Sequence, residues 1–192
     1  DPPYGIGDWT GKTGSKERNV TVSRFGGTVD WNDAIPSEDY FAELKRVSKE
    51  QIIWGANYYN SFPANGAAIV WYKHTKHPNY SDCEIASYSA GVRVAYISLE
   101  WYSLNRSEAT FHPCQKPVAL YKWLLTNYAK PGDTILDTHL GSGSSRIAAY
   151  DLGFDFTAYE LDKNYFDAQE KRFQDHIAQP KLFAPTPIVM TQ

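Results

Sequence analysis

The chain has few of the features that would fix its class at once. It has two cysteines among 192 residues, one methionine (Met190), and no run that approaches 18 apolar residues. Two cysteines do not make a disulfide framework, and the lack of a long apolar run argues against a membrane-spanning helix. No basic and then apolar leader opens the chain. We therefore expect reduced thiols and a cytoplasmic protein, and we expect Asp1 to follow a segment that the sequence does not include.

An excess of positive charge is also lacking. The formal net charge is −3 and the pI is about 5.9, which argues against general nucleic-acid binding but permits a local basic patch. One such patch lies in the Gly-, Ser- and Thr-rich stretch 11–29, where four cations face one anion, Glu17. We interpret these cations as candidate nucleic-acid contacts, with a solvated loop as the alternative: Lys12, Lys16, Arg18 and Arg24.

The apolar pattern predicts alternating helices and strands. We expect a helix over 36–49, strands over 51–59 and 67–74, a strand pair over 83–89 and 92–98, and a helix over 117–129. The last third predicts strand, helix, strand and helix in turn, which favours a parallel sheet with a right-handed crossover. The fold class is therefore α/β.

A glycine turn separates the first strand and helix of that last third. Gly141 and Gly143 allow close approach of a ligand to the backbone, and Glu160 follows the next strand, where a carboxylate can accept hydrogen bonds from ribose hydroxyls. The third glycine of a dinucleotide fingerprint and the lysine of a Walker loop are both missing. Asp137 would repel a pyrophosphate and attract an ammonium group. The pattern favours S-adenosylmethionine over NAD or ATP, with a plain capping turn as the alternative.

The opening residues Asp1-Pro2-Pro3-Tyr4 form a stiff segment. Pro3 has no N–H and both prolines fix φ, so the Asp1 carboxylate and the Pro2 carbonyl remain as acceptors without a competing backbone donor. An exocyclic amino group has two protons and needs two acceptors, while Tyr4 offers a ring on which a base can stack. The pattern suits an amino-bearing heterocycle, and an ordinary surface turn is the alternative.

Together these motifs carry a family resemblance. The chain resembles the amino-directed DNA methyltransferases, in particular the β-class adenine-N6 enzymes common in phages. The resemblance covers nearly the whole chain and rests on four matches in this order: Asp1-Pro2-Pro3-Tyr4, His112-Pro113 with Gln115-Lys116-Pro117, Asp137 with Gly141-Ser142-Gly143-Ser144, and Glu160.

The resemblance implies a Rossmann-like methyltransferase fold in one domain over 1–192. Its sheet would be mostly parallel and seven-stranded, here without its N-terminal strands, and would include an antiparallel hairpin. DNA would be the partner, with the target adenine flipped beside Tyr4, and the expected assembly is a homodimer or a complex with a partner subunit. Bacterial or phage-infected cytoplasm is the expected location.

The resemblance also assigns roles to residues. Asp1, Pro2, Pro3 and Tyr4 would be catalytic, and transfer would be a direct displacement that needs no metal. S-adenosylmethionine would be bound by nine residues: Gln115, Lys116, Asp137, His139, Gly141, Ser142, Gly143, Ser144 and Glu160.

Several alternatives stay open. Aspartate rather than serine in the first position favours adenine N6 over cytosine N4, and asparagine would be usual in an enzyme acting on a glutamine amide. Thr138-His139 stands where the family often has Pro-Phe, so His139 is either a pocket residue or an ordinary turn residue. Cys114 could act as a nucleophile on carbon 5 of cytosine, although it lacks that motif's context. RNA is another substrate to consider. A short recognition region also keeps a non-catalytic DNA-binding or assembly module with a cofactor pocket in view.

Overall fold

The computed structural model describes residues 1–6, 32–59, 66–75, 81–100 and 110–179. The candidate DNA contacts Lys12, Lys16, Arg18 and Arg24 lie outside these ranges. The chain divides into two compact units, 1–117 and 118–192, which are described in turn. The expectation of one catalytic domain stays a prediction.

The first unit begins its regular structure with helix α1, Glu38–Val47. Two acidic residues lie in the first turn of this helix, and Lys45 and Arg46 lie in the last turn. This arrangement complements the helix dipole, since negative charge is stabilised at the N-terminus and positive charge at the C-terminus. The predicted helix over 36–49 is confirmed, with shorter ends.

A four-stranded mixed sheet forms the body of this unit. Its strands are β1 (Ile52–Trp54), β2 (Ala68–Tyr72), β3 (Cys83–Tyr88) and β4 (Val94–Ser98), in the order β1-β3-β2-β4. Strand β3 pairs antiparallel with both β1 and β2, whereas β2 and β4 are parallel. The antiparallel pairing of β2 with β3 is not one that the sequence predicted, and the strands over 51–59 and 67–74 are not neighbours because β3 lies between β1 and β2. The expected pairing of β3 with β4 is wrong, because β2 lies between them.

The chain departs from the predicted strand over 51–59 after Trp54. Gly55 has φ +78°, and the one-turn helix α2, Ala56–Tyr59, follows it. A left-handed φ ends the extended run, and the Gly55 carbonyl then accepts a hydrogen bond from Tyr58 N at 2.8 Å. Ala56 and Tyr59 are both buried, at i, i+3 spacing. The apolar and aromatic residues over 51–59 are typical of a strand, and their composition does not reveal the turn at Gly55.

The core of the first unit is aromatic and aliphatic. Trp54, Ile69, Trp71 and Ala86 are buried, and the two indole rings meet edge to face at a centroid distance of 6.3 Å. The indole N–H of Trp71 donates to the Leu99 carbonyl at 2.8 Å, so this buried polar group is satisfied. Most of the core thus lies on the central strands β2 and β3 and their neighbour β1.

The second unit repeats strand and helix. It contains α3 (Val118–Tyr128), β5 (Thr134–Asp137), α4 (Ser144–Leu152), β6 (Asp155–Ala158) and α5 (Lys163–Ala178). Strands β5 and β6 pair in parallel, with α4 as their crossover. The predicted strand–helix–strand–helix order is confirmed. Apolar periodicity and terminal glycines were sufficient to predict it.

The ends of the second unit's helices have local causes. Helix α4 ends at Gly153, whose φ of +76° lets its N–H bond back to the carbonyls of the last turn. Helix α5 begins at Asp162, whose side chain accepts hydrogen bonds from Asn164 N and Tyr165 N. These caps set the lengths of the helices that flank the glycine turn.

The α/β fold class is confirmed, but the strands differ from the expected sheet. The described residues form six strands in sheets of four and two, with two parallel and two antiparallel pairings. A count below seven agrees with the expected lack of N-terminal strands, but parallel pairings are half of those described, where a mostly parallel sheet was expected. The period-two pattern predicts where a strand lies, but it does not give the direction of its neighbour. In the described part of the chain, no helix is long and apolar enough to cross a membrane.

Truncation of the buried Ile69 to alanine is expected to destabilise the protein. The side chain is fully buried in β2, so Ile69→Ala removes apolar contacts and leaves a cavity. We expect a loss of about 2–5 kcal/mol in the free energy of unfolding, measured by urea denaturation. Val94→Ala, at a residue that is 65% exposed, is the control and should change stability by less than about 0.5 kcal/mol. Equal losses in both variants would contradict this account of the core.

Candidate active site

The opening segment is held in place by Tyr4. The backbone N–H of Tyr4 donates to Asn32 Oδ1 at 2.8 Å, and its hydroxyl donates to Asp1 Oδ1 at 2.6 Å. Its ring stacks on Tyr58 with centroids 4.8 Å apart and planes 14° apart, and it meets Tyr59 at 6.1 Å in a tilted contact. The side chain that was expected to stack on a base is thus fixed by α2.

Gly55 makes room for the Tyr4 ring. A Cβ built on Gly55 would lie 2.3 Å from Tyr4 Cε1, far inside contact distance, and the φ of Gly55 is in the left-handed region. The turn between β1 and α2 therefore needs glycine for two independent reasons. The same turn that replaced the predicted strand gives Tyr4 its place.

The two expected acceptors lie together, and each already has a protein donor. Asp1 Oδ2 pairs with the Lys116 ammonium, and the Pro2 carbonyl accepts a hydrogen bond of 2.5 Å from the Tyr59 hydroxyl. The expectation that these acceptors lack a competing donor holds for the backbone but is wrong for side chains. A carboxylate oxygen and a carbonyl oxygen each have a second lone pair, so both can still accept a ligand's N–H.

A buried ion network continues from Asp1. The Lys116 ammonium lies 3.1 Å from Glu84 Oε2, and Lys73 lies 3.1 Å from Glu84 Oε1. Burial opposes charge on Glu84, but the two ammonium groups outweigh it and hold the pKa of this carboxyl below its usual range. The network alternates two carboxylates with two ammonium groups, so its formal charges sum to zero. Lys116 was expected at the rim of a cofactor, and the structure places its ammonium against Asp1.

The phenols of the site remain protonated donors at neutral pH. Burial raises the pKa of Tyr4 and of Tyr59 well above the ordinary value of 10. Both hydroxyls therefore donate rather than accept toward Asp1 and Pro2. Pro3 is half-buried between Pro2 and Tyr4 and contributes its fixed φ and its missing N–H.

A cavity of about 190 Å³ lies beside Tyr4 in the same unit. Lys73, Glu84 and Lys116 border it, together with Asn57 and Gln115. A mostly apolar wall with a few charged and amide groups set in it is typical of a ligand site. Gln115 is buried, and its side-chain oxygen accepts a hydrogen bond from Phe111 N at 3.4 Å.

Cys114 also borders this cavity but does not suit nucleophilic catalysis. Burial raises the pKa of its thiol to about 11. The thiolate is the nucleophilic form of cysteine, and it would be scarce at neutral pH. The alternative of a catalytic cysteine is therefore disfavoured.

The second unit forms the glycine turn as predicted. Gly141 N donates to Glu160 Oε2 at 2.7 Å, which joins the turn to the end of β6. Asp137 accepts hydrogen bonds from His139 N at 3.0 Å and from the Ser145 hydroxyl at 2.5 Å. The structure thus brings Asp137, the turn and Glu160 together. Burial lowers the pKa of His139 to about 4, so this ring is neutral at neutral pH.

Helix α5 braces the glycine turn. The Arg172 guanidinium donates to the Ser142 carbonyl at 2.7 Å and to the Ser144 hydroxyl at 3.0 Å. A Cβ on Gly143 would lie 3.1 Å from Gln169, so this glycine also lets the helix approach. Sequence reasoning did not find Arg172 or Gln169, because both lie about one element away from the motif and belong to no recognisable pattern.

The comparison with protein families gives the class of this chain. Residues 45–171, two thirds of its length, match the family model of the N6/N4 DNA methylases. The chain belongs to this DNA methylase family, which confirms the resemblance found in its motifs. The family's name includes both N6 and N4 amino groups, so membership does not decide between adenine and cytosine as the target.

The chain is also similar to individual methyltransferases. The chain is 25% identical over 148 residues to the type II methyltransferase M.HinfI of Haemophilus influenzae, which covers 77% of this chain and 38% of that protein. A crystal structure of an M1.HpyAVI–SAM complex is 26% identical, with a TM-score of 0.44 over 55% of this chain and 60% of that one. The cytosine-N4-specific PvuII DNA methyltransferase is 16% identical, with a TM-score of 0.44 over 71% of this chain and 57% of that one. The chain spans between 24% and 52% of the length of the curated relatives it matches.

A methyl group added at Gly55 is expected to disturb the site more than one added at Gly66. Both residues have a left-handed φ, but a Cβ on Gly66 would meet nothing within 4 Å. Gly66→Ala should cost about 1–2 kcal/mol for the backbone alone, and Gly55→Ala should cost more because it also displaces Tyr4. Urea denaturation of both variants measures the difference. Equal costs would show that the Tyr4 ring does not depend on this contact.

The Cys114 thiol is expected to resist alkylation in the folded protein. At pH 7.5 its raised pKa keeps it protonated, so reaction with iodoacetamide should be much slower than after unfolding. Mass spectrometry of peptides that contain Cys114, before and after denaturation in urea, measures both rates. Rapid alkylation of Cys114 in the native protein would restore the case for a reactive thiol.

Proposed function

We propose that this protein transfers a methyl group from S-adenosylmethionine to the exocyclic N6 of adenine in DNA. The observation that carries the proposal is the pair of acceptors formed by the Asp1 carboxylate and the Pro2 carbonyl beside the fixed Tyr4 ring. Membership of the DNA methylase family supports it. The chain spans only part of the length of its relatives, so this activity is proposed for the protein as a whole.

The acceptor pair explains how an amino group could be made to react. An exocyclic amino nitrogen is conjugated with its ring and is a poor nucleophile. Hydrogen bonds from its two N–H groups to Asp1 and to the Pro2 carbonyl would hold it in one orientation and direct its lone pair away from the ring. Tyr4 would stack on the flipped base and fix its plane.

The glycine turn carries carboxylate acceptors that suit the ribose and the ammonium group of S-adenosylmethionine. Glu160 ends β6 next to Gly141 N and keeps lone pairs for ribose hydroxyls, and Asp137 offers negative charge to an ammonium group. Gln115, Ser142, Gly143 and Ser144 remain predicted contacts, as does His139. When bound, the cofactor supplies a sulfonium methyl group, and its transfer forms an N–C bond, breaks an S–C bond and releases a proton. Asp1 need not be a strong base if that proton leaves after transfer.

Cytosine N4 is the second candidate target. The N6/N4 family includes both kinds of amino group, and the two acceptors would serve either one. We favour adenine because the first motif residue is aspartate rather than serine. Lys12, Lys16, Arg18 and Arg24 stay predicted DNA contacts, and assembly as a homodimer or with a partner subunit stays a prediction too.

Methyl transfer to DNA by the recombinant protein tests the proposal. The protein is incubated with methyl-labelled S-adenosylmethionine and mixed-sequence DNA, and the nucleosides are then separated by mass spectrometry. We expect N6-methyladenine. Asp1→Ala should lower kcat by about 10²–10³-fold, the usual cost of one preorganised electrostatic contact, while cofactor binding by calorimetry persists.

Two controls sharpen this experiment. Asp33→Ala removes an exposed carboxylate near the same segment and should leave the rate unchanged. N4-methylcytosine as the product would replace adenine with cytosine as the target. Cofactor binding without transfer to any DNA or RNA would favour a non-catalytic module instead.

A further inference from the structure

We propose that Glu84 is a positioning residue for the Asp1 carboxylate and acts on it through Lys116. The inference rests on the proposed function, because it assigns Asp1 to the holding of the target amino group. Glu84 belongs to none of the motifs by which the chain resembles its family.

Lys116 occupies a fixed place between two carboxylates. Its side chain is 3% exposed, and its ammonium group pairs with Asp1 Oδ2 on one side and lies 3.1 Å from Glu84 Oε2 on the other. The ammonium also lies 5.9 Å from the centre of the Tyr4 ring and 5.5 Å from the centre of the Trp54 ring. These contacts leave the ammonium little freedom, so its position follows the two carboxylates.

Strand β3 fixes the position of Glu84. It lies in β3 opposite Trp71 of β2, within a strand paired on both sides, and its Oε1 accepts a hydrogen bond from Lys73 at 3.1 Å. Among the described residues, Glu84 Oε2 meets no hydrogen-bond donor in good geometry, although Lys116 is close enough for an ion contact. Charge is therefore what Glu84 contributes to Lys116, and the sheet sets where that charge lies.

The charges explain why the site needs Glu84. An amino nitrogen that attacks a sulfonium methyl becomes positive, so it is stabilised by negative charge and opposed by positive charge nearby. If Lys116 paired with Asp1 alone, its charge would offset that of Asp1 at the reacting nitrogen. Glu84 shares the ammonium group, which leaves the Asp1 carboxylate both oriented and effective. Lys73 pairs with the other oxygen of the same carboxylate, Glu84 Oε1.

The test replaces Glu84 with glutamine, which keeps the shape and the acceptor oxygen but removes the charge. We expect kcat for methyl transfer to fall by roughly 10- to 100-fold, as for other residues that orient a ligand group, with the KM for S-adenosylmethionine unchanged. Glu50→Gln is the matched control. The exposed Glu50 carboxylate accepts a hydrogen bond from the Tyr88 hydroxyl at 2.9 Å. Its replacement by glutamine should leave kcat unchanged.

A double-mutant cycle separates positioning from general damage. In an Asp1→Asn background Glu84 has no carboxylate to position, so adding Glu84→Gln should change kcat by less than about threefold, because coupled residues are not additive. The same factor in both backgrounds would overturn the proposal. So would an unchanged kcat in the single variant.

NMR of lysine ammonium groups gives a reading that does not depend on activity. The Lys116 ammonium, assigned with Lys116→Arg, should give a slowly exchanging signal in the parent protein and a shifted, faster-exchanging one in Glu84→Gln. An identical signal in both proteins would overturn the role of Glu84 even if no methyl transfer were found. Absence of transfer in the parent protein, with the ammonium signal altered as expected, would count against the proposed function alone.

Discussion

The ion pair between Asp1 and Lys116 is the interaction on which the candidate site depends. Both side chains are largely buried, and a buried charge that loses its partner costs several kcal/mol. Asp1 is thus held by a lysine from the other end of the first unit. This fixes Tyr4, whose hydroxyl donates to Asp1, and Pro2, which is the next residue in the chain. The aromatic packing around Tyr4 and the cavity beside it are arranged about this pair.

A second constraint is the close approach of backbone to ring at Gly55. Strand β1 ends at this point, and the left-handed turn then positions α2. As a result Tyr58 stacks on Tyr4 and the Tyr59 hydroxyl donates to the Pro2 carbonyl. A strand that continued past Trp54, as the composition predicts, would carry these two tyrosines apart onto opposite faces. The error over 51–59 therefore falls at the functional region, where local pattern gives way to tertiary contact.

The second unit was easier to predict than the first. Its helices and strands carry apolar periodicity, terminal glycines and a capping aspartate, all of which act within a few residues. The glycine turn and Glu160 could be placed together because consecutive parallel strands end at one edge. In the first unit, Tyr59, Lys73 and Glu84 reach the opening segment only through strand order and register. Strand order and register do not follow from any local sequence pattern, so the roles of these residues could not be assigned from the sequence.

The separation of the contacting residues along the chain has a consequence for folding. Pro2 and Tyr59 are 57 positions apart, and Asp1 and Lys116 are 115 positions apart. Closing loops of this length costs chain entropy, which the contacts at the site must offset. A chain with its helices and strands formed but without these contacts would have the opening motif and not the pair of acceptors. The proposed chemistry therefore depends on contacts between distant segments, and local secondary structure is not sufficient for it.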